Sequence, residues 1–99
     1  MASKRLKPGE VFPPGEYLRD ELEARGWTQG QFAKIIGRPL QTVNGIINGK
    51  TAITAQTAKE IATAFGTSAE LWINLQGSYD LFREPDADPA IHERAEQVA

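Results

Sequence analysis

The sequence contains no cysteine, which excludes disulfide bonds and thiolate zinc sites and is typical of a cytoplasmic chain. No apolar run approaches the roughly 18 residues of a membrane span, and no apolar stretch follows the basic N-terminus as in a secretory signal. The 99 residues suit one domain with a single core. These features predict a cytoplasmic domain with no membrane partner.

Residue types that catalyse reactions or bind metals are scarce. The single histidine, His92, stands beside Glu93 in an acidic C-terminal stretch, with no second histidine to complete a site. There is also no glycine-rich phosphate loop. The sequence therefore predicts a protein that is not an enzyme and that has no metal, cofactor or small-molecule substrate.

Strand-like alternation of apolar and polar residues is absent as well, and apolar residues recur at helical spacing instead. This pattern predicts an all-α fold of five helices within residues 15–82. Residues 1–14, with three prolines and three basic residues, are expected to form an extended arm. Residues 83–99 are expected to form an acidic tail that ends in a frayed helix or in none.

Helix two has the clearest start in the sequence. Thr28 and Gln31 match a capping box, in which each side chain bonds the other residue's backbone N–H. Trp27 and Phe32 occupy the two positions of a hydrophobic staple. Gly37 is expected to end this helix.

Two further N-caps are predicted, together with a core. Thr54 is expected to cap helix four, and Thr67 with Glu70 to form a second capping box at the start of helix five, which ends near Gln76. The expected core residues of helices two to four are Phe32, Ile35, Ile36, Leu40, Val43, Ile46, Ile47, Ala58, Ile61, Ala62 and Phe65.

The stretch "AKIIGRPLQTVNGIINGK" (33–50) indicates two short helices joined by a tight turn. A helix-turn-helix needs a small residue where its helices cross, a glycine or similar residue between them, and apolar anchors on the second helix. Ala33, Gly37, Val43 and Ile46 meet these requirements within residues 29–48. The window predicts a DNA-binding motif, whereas a generic helical hairpin would meet one or two of the requirements by chance.

The second helix of this motif has a polar outer face. With Val43 facing inward, helical geometry places Gln41, Asn44, Gly45 and Asn48 on the opposite side. Gln and Asn can bond adenine N6 and N7 in the major groove. Gly45 costs about 1 kcal/mol relative to alanine in a helix, and we interpret it as allowing the backbone to approach DNA closely. The alternatives are an ordinary exposed face and a glycine that fits a tight contact within the protein.

Groups that could bind phosphates surround this face. Gln29 lies in the first turn of helix two, where backbone N–H groups can point at a phosphate. Lys34, Arg38 and Lys50 supply positive charge. The net charge of the whole chain is −2, but basic residues outnumber acidic ones between positions 27 and 66. All four residues are predicted to contact DNA.

Three stretches resemble a known family: "PGEYLRDEL", "NGKTAITAQTAKEIATAFGTS" and "AELWINLQGSYDL". Together with the helix-turn-helix they resemble the phage-repressor (Cro-like, XRE) family and, more narrowly, the HigA-type antitoxins of bacterial addiction modules. The resemblance implies a five-helix phage-repressor-like domain, a homodimer that represses its own operon by binding double-stranded operator DNA, and a basic, mRNA-cleaving toxin of the HigB type as partner.

The resemblance also implies site residues. Carried over by position, the DNA contacts are Gln29, Gln41, Thr42, Asn44 and Gly45. The sequence departs from the family pattern at three positions. Family members usually have a Ser or Thr N-cap near position 39 and Arg at 40 or 45, where this chain has Pro39, Leu40 and Gly45.

Helix five is expected to form the dimer interface. Leu71, Leu75 and Tyr79 share one face and are predicted to enter the core, which leaves Trp72 and Ile73 as interface residues. The alternative is that the C-terminal tail folds back over Ile73.

A basic toxin should bind an acidic surface of this chain. The candidates are the tail beyond Phe82 and helix one, whose acidic residues are Glu16, Asp20, Glu21 and Glu23. Two other functions are left open: a stand-alone transcriptional regulator with the same DNA chemistry, and a protein-interaction adaptor that kept the helix-turn-helix but no longer binds DNA.

Overall fold

The computed structural model describes residues 11–98, and all secondary structure in this range is helical. The helices are α1 (Pro14–Arg25), α2 (Gln29–Ile36), α3 (Leu40–Ile47), α4 (Ala55–Phe65), α5 (Ala69–Arg83) and α6 (Ala90–Gln97). The predicted all-α class is confirmed. The described residues contain six helices rather than five, because α6 forms within the predicted tail, where a frayed helix was one of the two expectations. Most of the predicted arm, residues 1–10, lies outside the described residues.

The start of α2 follows the predicted capping box. The Gln31 backbone N–H donates to Thr28 Oγ1 at 3.0 Å, and the Thr28 N–H donates to Gln31 Oε1 at 2.8 Å. The Trp27 and Phe32 rings stack with centroids 6.3 Å apart, as expected for a hydrophobic staple. Local sequence chemistry therefore determines where the first helix of the motif begins.

The start of α5 differs from the prediction. Ser68, not Thr67, is the N-cap, and its Oγ accepts from the Leu71 N–H at 3.1 Å. The Thr67 hydroxyl instead accepts from Trp72 Nε1 at 3.0 Å. The predicted second capping box is wrong because this hydroxyl bonds the indole rather than the backbone. The helix also continues to Arg83, well beyond its expected end near Gln76.

An aromatic cluster forms the centre of the core. Phe32 and Phe65 stack with ring centroids 5.2 Å apart, and the ring centroids of Phe65 and Trp72 are 5.8 Å apart. Trp72 is 1% exposed, so its predicted role at a dimer interface is wrong. The largest fully buried side chains are Trp72, Phe32, Leu18, Ile61 and Val43.

Several apolar residues that were predicted to be buried are exposed. Ile35 and Leu40 are 49% and 45% exposed, because α2 and α3 are eight-residue helices that each bury only a narrow stripe. On α5 the buried face runs through Trp72 and Gln76, so Leu71 points outward. Leu75 packs only partly against the core. The large indole determines which face of α5 is turned inward.

The tail alternative is not supported in the part of the chain that the structure describes. Ile73 remains 38% exposed, and α6 has no buried residue. His92 lies on the exposed surface of α6, with its Nε2 3.4 Å from a carboxylate oxygen of Glu96. Within residues 11–98, α6 therefore does not fold back over Ile73.

The N-terminus of α1 lies directly against the C-terminal end of α3. Gly15 is buried there, and a Cβ at this position would lie 2.5 Å from Ile47 O and 2.7 Å from Ile47 Cα, and would also collide with Ile46 O. These are backbone atoms, which cannot rotate away as a side chain could. The contact therefore requires glycine, and it determines how close α1 lies to the last turn of α3.

Candidate nucleic-acid interface

Helices α2 and α3 form the predicted helix-turn-helix. Gly37 has φ 72° and allows the sharp turn between them, and the Arg38 N–H donates to Ala33 O at 2.9 Å across it. Ala33, Val43 and Ile46 are buried, as the motif requires. The four residues on which the prediction depended therefore have the structural roles expected of them.

The outer face of α3 carries the predicted polar residues. Gln41 and Asn48 are exposed, whereas Thr42 and Asn44 are half-buried at the edges of the face. Gln41 and Asn48 lie on the side of α3 away from the buried Val43. These two amides are the best presented groups for contact with base edges.

Gly45 has a different explanation from the predicted one. A Cβ at this position would collide with Thr51 Oγ1 and lie 3.1 Å from Thr51 Cβ. The Gly45 carbonyl also accepts from the N–H groups of Lys50 and Thr51, at 2.8 and 3.0 Å. The glycine therefore allows the turn after α3 to fold back on the helix. Close approach to DNA is not needed to explain it, and a DNA contact at Gly45 stays a prediction.

Arg38 forms an ion pair within the protein. Its Nε and NH2 groups donate to Oε1 and Oε2 of Glu60, at 2.8 and 2.9 Å. The hydrogen bond from Arg38 lowers the pKa of the Glu60 carboxyl, and the same bond raises the pKa of Arg38. This pair joins the turn of the motif to α4 and compensates the charge of the guanidinium, so Arg38 is a weaker candidate for a phosphate contact than the sequence indicated, and its contact with DNA stays a prediction.

The remaining cationic candidates are free to bind anions. Lys34 and Lys50 are exposed, and neither forms an ion pair with any other residue in the range 11–98. Gln29 is half-buried as the first residue of α2 and borders a shallow crevice with Arg19 and Glu23. Among the residues predicted to contact phosphates, the unpaired positive charge is therefore carried by two lysines.

Two supporting residues were not predicted from the sequence. Gln76 is buried on α5, where its Oε1 accepts from the Ile53 N–H at 2.8 Å and its Nε2 donates to Asp80 at 2.9 Å. The bond from the Ile53 N–H attaches the loop after α3 to α5. Glu60 is the other missed residue, and its isolation among basic residues was a usable signal. For Gln76, only its four-residue spacing from Trp72 indicated burial.

The acidic face of α1 is only partly available to a partner. Glu21 pairs with Arg25 at 3.3 Å, and the Arg25 guanidinium lies 4.6 Å from the centre of the Phe65 ring. Glu23 is exposed, while Glu16 and Asp20 are half-buried and have interactions of their own.

No helix within residues 11–98 is long and apolar enough to cross a bilayer.

The structural explanation of Gly45 can be tested by its replacement. We expect Gly45→Ala to lower the free energy of unfolding by about 1 kcal/mol, because crowding against Thr51 costs about 1–3 kcal/mol and outweighs a gain in helix propensity of about 1 kcal/mol. In a Thr51→Gly background the same substitution should be stabilising. Chemical denaturation of the single and double variants measures both effects.

Gly30→Ala is the matched control, because the nearest heavy atom to a Cβ there is Thr28 Oγ1, at 3.9 Å. It should leave the stability unchanged or slightly raised. A Gly45→Ala protein more stable than the parent would show that the contact with Thr51 does not explain the glycine.

The chain is similar to known proteins. A family model described as helix-turn-helix matches residues 18–72. Virulence-associated protein I of Dichelobacter nodosus is 38% identical over 69 residues, which cover 69% of this chain and 64% of that protein. The chain thus spans less than two thirds of that relative's length.

Antitoxin relatives match a larger part of the chain. Antitoxin HigA-1 of Vibrio cholerae serotype O1 is 39% identical over 83 residues, covering 83% of this chain and 75% of that protein. The solved structure of Pseudomonas aeruginosa antitoxin HigA with the higBA promoter has a TM-score of 0.71 at 31% identity, covering 90% of this chain and 91% of that one. The chain belongs to the helix-turn-helix family and, within it, to the group that includes the HigA antitoxins.

Proposed function

We propose that the chain is a sequence-specific DNA-binding antitoxin that represses its own operon and neutralises a basic, mRNA-cleaving toxin. The observation that carries the DNA-binding part is the exposed amide face of α3, held by a turn and a core with helix-turn-helix geometry. A relative of known structure is described with promoter DNA, which supports the same activity here.

In this proposal α3 lies in the major groove. Gln41 and Asn48 contact base edges, where a Gln or Asn amide can bond adenine N6 and N7 together. Thr42 and Asn44 lie at the edges of the contact. Groups at the rim, namely Gln29, Lys34 and Lys50, contact phosphates and set the register without reading sequence.

The proposed DNA-binding form is a homodimer. Ile73 is 38% exposed, and Leu81 and Phe82, further along α5, are 79% and 61% exposed. Exposed apolar side chains on one helix are candidates for an interface between subunits. A two-fold dimer would read half-sites about one helical turn, or roughly 34 Å, apart.

The toxin is proposed to bind the acidic surface of α1. Opposite charge speeds encounter with a basic partner. Glu23 is the most available carboxylate, since Glu21 is already paired with Arg25. The acidic segment from Glu84 onward is the other candidate surface. It includes the exposed helix α6.

The adaptor hypothesis draws support from one observation. Because Arg38 is paired with Glu60, the surface beside α3 has less free positive charge than the sequence suggested. Binding of DNA by this chain is therefore the property that separates the two hypotheses. The stand-alone regulator shares the DNA chemistry and differs only in having no toxin.

DNA recognition is tested by Gln41→Ala. The variant should unfold at the same temperature as the parent, because Gln41 is exposed. It should lose roughly 1–3 kcal/mol of discrimination between the DNA upstream of its own gene and a scrambled duplex. Gln97→Ala, an exposed substitution on α6, serves as the control and should change neither quantity. Unchanged discrimination in Gln41→Ala would contradict base contact by this residue.

The dimer is tested by Ile73→Asp. A buried charge at the interface should convert the sedimenting species from dimer to monomer at micromolar concentration. Ile91→Asp is the matched control, because Ile91 on α6 is 50% exposed and lies outside the proposed interface. If Ile73→Asp sediments as the same dimer as the parent, Ile73 is not in the interface.

A further inference from the structure

Leu40 is an apolar residue in an unexpected place. It is the first residue of α3 and is 45% exposed, whereas Val43, Ile46 and Ile47 on the same helix are all buried. Within residues 11–98, every other large apolar residue that is exposed lies outside α3. A single exposed leucine on a protein surface is ordinary, so its position determines whether it matters.

That position is the end of α3 expected to enter the groove first. Base contacts of a recognition helix come mainly from its N-terminal residues. Leu40 directly precedes Gln41 and is four residues from Asn44, so it lies on the same side of the first turn as Asn44. The leucine therefore borders Gln41, which is proposed to read a base, and Asn44, at the edge of the proposed contact.

The composition of this face restricts which bases it can read. Its exposed and half-buried side chains are leucine, glutamine, threonine and asparagine, without arginine or lysine. The commonest guanine contact, a bidentate bond from Arg or Lys to O6 and N7, is therefore unavailable on α3. Amides favour adenine, and the thymine of an A·T pair presents a C5-methyl group that apolar side chains contact.

We propose that Leu40 is a specificity-determining residue that contacts the methyl group of a thymine beside the adenine read by Gln41. Each half-site then contains an A·T step that is recognised by one amide and one apolar side chain. This inference rests on the proposed DNA-binding function and specifies which base pairs α3 distinguishes.

The proposal is tested by removing single methyl groups from the DNA. The wild-type chain is titrated against a duplex of the DNA upstream of its gene. Each thymine in the region that the bound protein protects from nuclease is replaced in turn by deoxyuridine. We expect one thymine in each half-site at which the replacement weakens binding about fourfold, the equivalent of about 0.8 kcal/mol for one buried methyl group.

The protein variants identify the side chain responsible. Leu40→Ala should bind the unmodified duplex more weakly and lose its sensitivity to deoxyuridine at that position, and Leu40→Met, which keeps an apolar side chain, should retain it. Ile35→Ala is the control, because Ile35 is 49% exposed on α2, outside the α3 face, and should leave the sensitivity unchanged. Thermal unfolding confirms that the variants are folded.

Two outcomes would overturn the inference while the proposed function stands. The first is wild-type binding that is insensitive to deoxyuridine at every thymine. The second is a Leu40→Ala variant with the same sensitivity to deoxyuridine as the parent. This includes a variant that changes only the sedimentation of the protein, which is the result expected if Leu40 contacts a second subunit. Failure of the wild-type chain to prefer its upstream DNA over a scrambled duplex would instead refute the proposed function itself.

Discussion

The proposed DNA-binding surface depends on contacts that hold one short helix, α3, in a fixed position. Helix α3 has eight residues, and isolated helices below about 12–15 residues are marginal in water. Its stability must come from its neighbours: the turn at Gly37 joins it to α2, and Gly15 lets α1 reach its last turn. Thr51 packs on Gly45, and Gln76 holds the following loop against α5. The precision with which α3 can meet a groove derives from these contacts.

The same supports decide how charge is used. Arg38 joins the turn of the motif to Glu60 on α4, so its guanidinium charge is compensated within the protein. Lys34 and Lys50 remain for electrostatic contact. A surface with few free cations gives weak non-specific attraction, because that attraction scales with the number of phosphates neutralised. Recognition by this chain must then rely more on the hydrogen-bonding and apolar groups of α3.

Sequence alone was sufficient where the determining interactions are local. The capping box of Thr28 and Gln31 and the turn at Gly37 involve residues a few positions apart, and both were predicted correctly. Prediction from the sequence failed where a residue far away in the chain determines the structure. Periodicity had placed Trp72 at a dimer interface, but its indole is buried, and this turns that face of α5 inward. Gly45 is explained by a threonine in the next loop, Thr51. The Arg38 pair likewise depends on a residue 22 positions away.

The central claim is that α3 distinguishes DNA sequences. The most direct measurement is the ratio of the wild-type chain's affinities for its own upstream duplex and for a scrambled duplex of equal length and composition, across a range of salt concentrations. We expect a ratio of at least about 10³, as for specific DNA-binding proteins, with a shallow salt dependence because few phosphates are neutralised. Equal affinities for the two duplexes would contradict the account and favour the adaptor.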